Sequence, residues 1–584
     1  MAQGLFEQNK MTITGAQAQV IDQARLRLAW VVMVLMMGYL AIGLRMGDLT
    51  LLHHKTIETA GNEGNSAAAG RPLRGEILDR NGNLMASSLK MASVYADTTM
   101  IDDPKALAKK LSDILPEQTY GALLEKLSSG KEFIWIQRDI TPKQEYAINA
   151  IGNPALSFQD EERRIYPDAN MTAHILGYTD VDGNGIAGIE KYFNKQLRES
   201  DKPVQLTIDL RVQHIMHREL AEAVQKFHAK DGVGMVMDVN TGEVIAMVSL
   251  PDFDPNHIGD ASDWEKFNRA TLGVFEMGST FKLFSMAAAL DTGKVHFSSI
   301  FDATTPLQIG RFKIHDDHAK KRPLTVPEIF IYSSNIGTAK MAESLGPDAI
   351  KDFYRKMGFM EPAPIELPER GMPLTPSPWS EISTLTASFG HGIAVSPLHL
   401  IRAASALVNG GIMPRSTLVM PDQPDNLSLK ASPSPGGERV ISEETSRKVR
   451  QLLELVVADG TGTKAYVEGY DVGGKTGTAE KNIHGHYEHN ASLSSFLGVF
   501  PIQAPRYAVL AILDEPQGTP DTHGFSTGGW TAAPVVANVI SQMGPLYQIP
   551  PDLTRGRLDI EKEMSAYLKD LKEGTSLASL GTDH

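Results

Sequence analysis

The sequence predicts a mixed α/β (α+β) chain: a single N-terminal transmembrane helix, a β-rich domain, and a larger domain with a central antiparallel sheet flanked by helices. Three observations predict it. An uncharged apolar run occupies residues 28–44, and a small, polar, aperiodic stretch at residues 58–70 reads as a flexible spacer. Beyond residue 205, apolar strand-like runs stand at both ends of a long series of helical patterns.

The anchor comes first. At ~1.5 Å per residue the run 28–44 makes a helix of roughly 25 Å, just enough for a bilayer core, and the span is assigned to residues 28–46. Arg25, Arg27 and Arg45 can snorkel to the headgroups, and Trp30 and Tyr39 suit an interface. The rival is a cleaved signal peptide. Against it, the polar lead 1–27 is long, the apolar run exceeds the usual ~7 to 15 residues, and no A-x-A site follows at once. Lys10, Arg25 and Arg27 before the span outnumber Arg45 and Lys55 after it, a slight positive-inside bias that leaves the lead cytoplasmic.

After the linker at 47–70, the β-rich domain is expected at 71–204. An apolar step at Ile77 and Leu78 precedes Asn81-Gly82, a strong turn dipeptide. Between Pro104 and Lys131, leucines and alanines recur at helical spacing and break at Pro116, giving two amphipathic helices. Residues 163–167 and 185–190 read as turn-rich, and their charges and glycines fit a packed interface or a solvated loop equally. The second domain, 205–546, begins with a short strand (QLTID), a helix through Gln225 and a hairpin around Asn240-Thr241-Gly242. Helical patterns dominate to about residue 415, a Pro/Ser/Gly loop occupies 421–437, and a helix follows at 442–457. Residues 496–501 and 507–514 read as paired strands, and a helix at 534–543 closes the domain. The tail 547–584 is charged and carries no assigned chemistry.

Composition narrows the chemistry. A chain of 584 residues exceeds one hydrophobic core and should split into domains. A net charge of −14 lacks the basic footprint of a nucleic-acid binder, so no nucleic acid is expected as a partner. With no cysteine, any nucleophile must be an oxygen or nitrogen.

Three short motifs carry that chemistry. In Ser279-Thr280-Phe281-Lys282 the serine is placed at a helix start and the lysine one turn later on the same face, so the amine can reach the hydroxyl. A helix N-terminus also offers free N–H groups where an oxyanion would form. The spacing alone proves little, since Ser87 to Lys90 and Ser128 to Lys131 match it by chance. Ser333-Ser334-Asn335 opens another helix, and its plain reading is an N-cap. Lys475-Thr476-Gly477-Thr478 follows two glycines on what reads as a strand edge, where Gly477 lets a ligand approach the backbone. The ordered set is far more specific than its parts.

With these motifs the chain resembles the class B penicillin-binding proteins, most closely the division-specific peptidoglycan D,D-transpeptidases of the FtsI family. RGEILDRNG at 74–82, RRIYP at 163–167 and GIAGIEKYF at 185–193 resemble the family's pedestal (dimerisation-like) domain. Arg269 in FNRA, SFGHGIAVSPL at 388–398, KTGTAEK at 475–481 and GGWTAAPV at 528–535 resemble its transpeptidase domain. No glycosyltransferase-like region stands between anchor and pedestal, which is similar to class B members.

The resemblance implies that Ser279 attacks the carbonyl between the two terminal D-alanines of a stem peptide and forms an acyl-enzyme, with Lys282 as base. That amine must be neutral near physiological pH, through burial or a neighbouring cation such as Lys475. Ser333 would relay a proton, Asn335 would hold the substrate's amide backbone, and Thr476 and Thr478 would bind the terminal carboxylate. The N–H groups of Ser279 and Thr478 would form the oxyanion hole, worth roughly 3 to 4 kcal/mol per donor. The middle motif has Ser334 where the common form has Asp, with both functional ends kept. No metal or other cofactor is expected. The histidine clusters at 315–318 and 484–489 lie in what read as polar loops, and the second is placed near the site. Implied partners are peptidoglycan stem peptides, the membrane, and a multi-span glycan polymerase of the FtsW type with other division proteins. The implied location is the inner membrane, single-pass, with a periplasmic catalytic domain. The alternatives are an elongation-type transpeptidase, or a β-lactam-binding hydrolase or sensor.

Overall fold

The computed structural model describes residues 73–200, 202–310, 312–421, 437–483 and 486–554, with a few isolated positions in the terminal segments. The chain divides into two compact units, Met1–Arg71 and Pro72–His584. In the first, Trp30, Met33, Met36, Met37 and Leu40 are described, each helical and exposed. The rest of the expected anchor and linker, and most of the tail, lie outside the described residues. Among the described residues no helix is long and apolar enough to cross a membrane.

The second unit begins with β1 (Ile77–Leu78), which turns into the long strand β2 (Leu84–Ala96). Asp79 fastens the turn by accepting from the N–H groups of Asn81 and Asn83, both at 2.8 Å, and Gly82 takes φ +83°. Next come α1 (Pro104–Ile114) and α2 (Tyr120–Leu127), started by the caps Asp103 and Thr119 and separated at Pro116. Then follow β3 (Ile134–Ile140), α3 (Pro142–Asn149), β4 (Leu156–Ile165) and β5 (Val204–Gln205). β2 is the centre of this sheet: β1, β3 and β4 all pair with it antiparallel, and β5 runs parallel to β1. Leu107, Leu111, Leu123 and Leu127 recur at helical spacing, so their faces close a small core over Val94 and Ile136.

The stretches 163–167 and 185–190 are packed. Glu190 is fully buried between two arginines, with Arg74 Nε and Arg164 Nε each 2.6 Å from its carboxylate. RRIYP is less of a turn than expected, because β4 continues through Ile165. Its Tyr166 exchanges two backbone hydrogen bonds, both 3.0 Å, with the side chain of Asn256, tying the first sheet to the larger part of the unit. Glu190→Ala leaves two buried guanidinium groups without their counter-charge and is expected to cost about 3–5 kcal/mol of stability. Urea unfolding of the purified protein measures this as a fall in midpoint at unchanged slope.

The larger part comprises α4 (Leu210–Lys226), β6 (Asp231–Asp238), β7 (Val244–Leu250), α5 (Lys282–Asp291), α6 (Val326–Ile331), α7 (Asn335–Leu345), α8 (Pro397–Val408), α9 (Glu443–Asp459), β8 (Gly473–Ile483), β9 (His486–Phe500), β10 (Tyr507–Asp514) and α10 (Ala532–Leu546), with shorter pieces between. The strands form one antiparallel sheet in the order β8-β9-β10-β6-β7. Its strands from the two ends of the domain meet because β6 and β10 are apolar on both faces and need cover on each. α4 and α10 cover one face, while α5, α8 and α9 pack on the other. β8 is left at the edge.

Several elements differ from the expectation. The region up to residue 415 is not uniformly helical: Ile300–Asp302, Leu307–Ile309, Phe312–Ile314 and Pro323–Thr325 form two small antiparallel pairs, each strand too short to show a period. The expected QLTID strand is only Val204–Gln205. β9 starts ten residues before the expected 496, at His486, so His486, Tyr487 and Glu488 belong to a strand and not to a polar loop. Its interior serines, Ser492, Ser494 and Ser495, mask the apolar signal.

Candidate active site

Ser279 stands on a 3₁₀ turn, Gly278–Phe281, and the α-helix proper begins only at Lys282. The expected α-helical start is therefore one tighter turn, still with the lysine on the serine's side. The turn is anchored from below by Phe281, buried within 5.0–5.6 Å of the rings of Phe284, Tyr354 and Phe359. From above it is fitted to the edge strand: Gly278 has φ +53°, and a Cβ there would lie 2.5 Å from the carbonyl oxygen of Thr478. Only glycine allows this approach, which brings the N-terminal end of the serine turn against Thr478.

The side chains of the three motifs converge on one point. Lys282 Nζ lies 2.9 Å from Ser279 Oγ and 3.0 Å from Ser333 Oγ, and it also donates to the Ser333 carbonyl. Lys475 Nζ is 3.1 Å from the same Ser333 hydroxyl. Ser333 can face both amines because its backbone is left-handed, φ +57°, between the end of α6 and the start of α7. Such a conformation costs a non-glycine residue about 1 kcal/mol or more. Surrounding bonds hold it there: Ser334, not Ser333, is the N-cap of α7, its Oγ accepting from Gly337 N–H at 2.9 Å and donating to Asp316 at 2.7 Å. The same Asp316 carboxylate accepts from Ile336 N–H at 2.9 Å, and Asn335 Nδ2 donates to the His315 carbonyl at 2.9 Å. The capping reading thus applies to the middle residue and leaves Ser333 free for the two lysines.

Lys282 is 1% exposed and Lys475 0%. Burial lowers Lys282 from the usual lysine range to about 7, against the opposing pull of Asp316 and Asp317. Lys475 is also held well below its usual range, first by burial and then by the charge of Lys282. Two amines bonded to one hydroxyl disfavour each other's charged form, so the pair favours the loss of one proton between them.

Thr476 and Thr478 follow along β8. Thr476 Oγ1 is 2.7 Å from Thr461 Oγ1, and Thr478 Oγ1 accepts from Gly528 N–H at 3.3 Å. Gly477 is packed against protein on its Cα side. A Cβ there would meet Ser495 Oγ at 2.3 Å, Thr280 Cγ2 at 2.8 Å and the Met277 carbonyl at 2.9 Å, so the room it leaves is filled by protein. Its small size lets the strand edge pack against the serine turn.

The chance matches fall elsewhere. Ser87 and Lys90 lie in β2, where residues three apart point to opposite faces, and Ser128 ends α2. Among the described residues no group of three or more His, Asp or Glu is placed to hold a metal. His315 and Asp316 instead brace the Ser333 segment. Sequence reasoning missed this brace and Glu276; it placed the 484–489 cluster, which holds Tyr487, near the site and quoted the 388–398 stretch, which holds His391, without giving either residue a role, and the structure links the three. The only sequence signal for the brace was the histidine cluster itself.

Comparison with known proteins gives two family matches. Residues 232–541 match the family "Penicillin binding protein transpeptidase domain", and residues 70–226 match "Penicillin-binding Protein dimerisation domain". The chain is 38% identical over 543 residues to "Probable peptidoglycan D,D-transpeptidase FtsI" of Caulobacter vibrioides, covering 91% of this chain and 90% of that one. It is 32% identical over 522 residues to "Peptidoglycan D,D-transpeptidase FtsI" of Escherichia coli, covering 83% and 85%. Among solved structures, penicillin binding protein 3 from Mycobacterium tuberculosis, complexed with aztreonam, superposes with a TM-score of 0.64 at 25% identity, covering 82% of this chain and 98% of that one.

Proposed function

Because the chain belongs to the penicillin-binding transpeptidase family, we propose that it is an FtsI-type, class B peptidoglycan D,D-transpeptidase that cross-links stem peptides through an acyl-enzyme on Ser279. The observation that carries this reading is the buried amine of Lys282, lowered to about 7 and 2.9 Å from Ser279 Oγ.

The geometry supports the following reaction. Lys282 takes the proton as Ser279 Oγ attacks the carbonyl carbon between the two terminal D-alanines. The oxyanion forms at the N–H groups of Ser279 and Thr478, a reading supported by the close approach of Gly278 to the Thr478 carbonyl. The C–N bond then breaks, and the departing D-alanine amine receives a proton from Lys282 through Ser333, whose hydroxyl touches both lysines. The terminal carboxylate binds at Thr476 and Thr478. Its negative charge raises the proton affinity of Lys475 and so supplies the cation that the empty pair disfavours. Asn335 holds the amide backbone of the donor. Attack by a second stem peptide's amine on the ester completes the cross-link and restores the serine. A β-lactam presents its strained amide to the same serine.

The division role rests on the FtsI-named relatives. The uncharged run 28–44, with Trp30, Met36 and Leu40 exposed on a helix, supports a single inner-membrane anchor with the catalytic domain in the periplasm. On that reading an FtsW-type glycan polymerase and other division proteins are its partners.

The test supplies the full-length protein with a stem peptide ending in D-Ala-D-Ala and an acceptor peptide with a free side-chain amine. The expected result is release of one D-alanine per cross-link formed, with an acyl adduct located on Ser279 by mass spectrometry. An adduct on another residue, or D-alanine release without cross-linking, would overturn it.

A further inference from the structure

The donor half of the reaction leaves unused a group beside the serine turn. Glu276 lies three residues before Ser279, and its carboxylate accepts from Gly392 N–H at 3.0 Å and from Tyr487 OH at 3.2–3.3 Å. Gly392 belongs to the loop whose Gly390 abuts the serine turn: a Cβ on Gly390 would lie 2.2 Å from the Gly278 carbonyl oxygen. Between those glycines, His391 sets its ring 5.4 Å from that of Tyr487 and keeps Nδ1 buried without a hydrogen-bond partner. Three segments thus deliver an acid, an imidazole and a phenol to one rim of the site.

The charges around Glu276 are unusual for structural glue. Both of its donors are neutral, and among the described residues no Lys or Arg pairs with it. A carboxylate offers about four acceptor positions, so two donors leave it capacity for another. Burial pushes its carboxyl above the ordinary range. His391 is lowered, first by burial and then by the charge of Lys282, which puts it within electrostatic reach of the catalytic pair.

The second half-reaction needs such a group. A primary amine has a reference pKa of about 10.4, so the acceptor arrives as an ammonium and must lose a proton before it can attack the ester. Resting on the transpeptidase reading, we propose that Glu276, with Tyr487 and His391, is the subsite that binds the acceptor's primary ammonium and takes its first proton. The ammonium gives one proton to the Glu276 carboxylate, and the amine lone pair then attacks the acyl carbon. A second proton passes from that nitrogen to Lys282 and on to Ser279 Oγ as the ester C–O bond breaks. The amide leaves, the serine is restored, and Glu276 releases its proton to solvent.

The experiment acylates the full-length chain with a thioester donor and follows the acyl group by mass spectrometry. Its fates are water, a stem peptide with a free side-chain amine, and hydroxylamine, which is uncharged at neutral pH. Glu276→Gln is expected to cut transfer to the amine peptide, relative to hydrolysis, by about tenfold, as for loss of a charged hydrogen bond, while the hydroxylamine ratio moves less than about twofold. Tyr487→Phe should weaken amine transfer in the same selective sense. Equal loss with both nucleophiles, or loss with neither, overturns the subsite alone. Failure of the unaltered chain to acylate at Ser279 overturns the transpeptidase reading and the subsite with it.

Discussion

Ser279→Ala is expected to abolish covalent labelling by a fluorescent penicillin and to lower donor turnover by about a million-fold, as removal of a nucleophile does in other serine acyl-transfer enzymes. The other hydroxyl at this point, Ser333 Oγ, is already bound between Lys282 and Lys475. The change removes one oxygen from a half-exposed position on the turn, so the fold should be unaffected. Gel fluorescence after penicillin treatment, with thermal unfolding as the control, measures both. Because nucleophile and base act as one unit, adding Lys282→Ala to Ser279→Ala should cost little more.

The second large effect belongs to Lys282. Its amine works only when neutral, and burial has brought it to about 7 from the usual value near 10.5. The sign follows directly. The protonated form cannot accept the serine proton, so the penicillin acylation rate should rise as pH increases through about 7 and level off above it. Lys282→Ala should lower acylation by about 10²–10⁴-fold and abolish that rise. Stopped-flow acylation between pH 5 and 9, on the unaltered protein and the variant, reads both effects. A flat profile for the unaltered protein would mean that its amine is already neutral, or never needed, across that range.

The parts of this architecture that sequence made legible share one property: each is a local pattern. The hairpin at Asn240-Thr241-Gly242, the break at Pro116 and the helix of 443–459 come from periodicity and turn residues acting over a few positions. The three motifs were legible because their spacing is short. What sequence obscured was either too brief or too polar for a period. The three-residue strands between 300 and 325 fall in the first class, and the serine-rich start of β9 in the second. The helical start at Ser279 proved a 3₁₀ turn because the serine end is fitted to Thr478, a contact nearly two hundred residues away.

The amino-acid order by itself determined the candidate nucleophile, its lysine one turn on, the two accompanying motifs and the succession of strands and helices. All of these rest on covalent spacing, which a linear chain states outright. Only the tertiary structure decided what the residues are worth chemically. Burial of Lys282 and Lys475 is the work of surrounding helices and strands, and desolvation is what lowers an amine's proton affinity. The same holds for the left-handed Ser333, the reassignment of the cap to Ser334, the packing role of Gly477 and the gathering of Glu276, His391 and Tyr487. Each depends on atoms brought together from distant parts of the chain, and no local pattern encodes a distance through space.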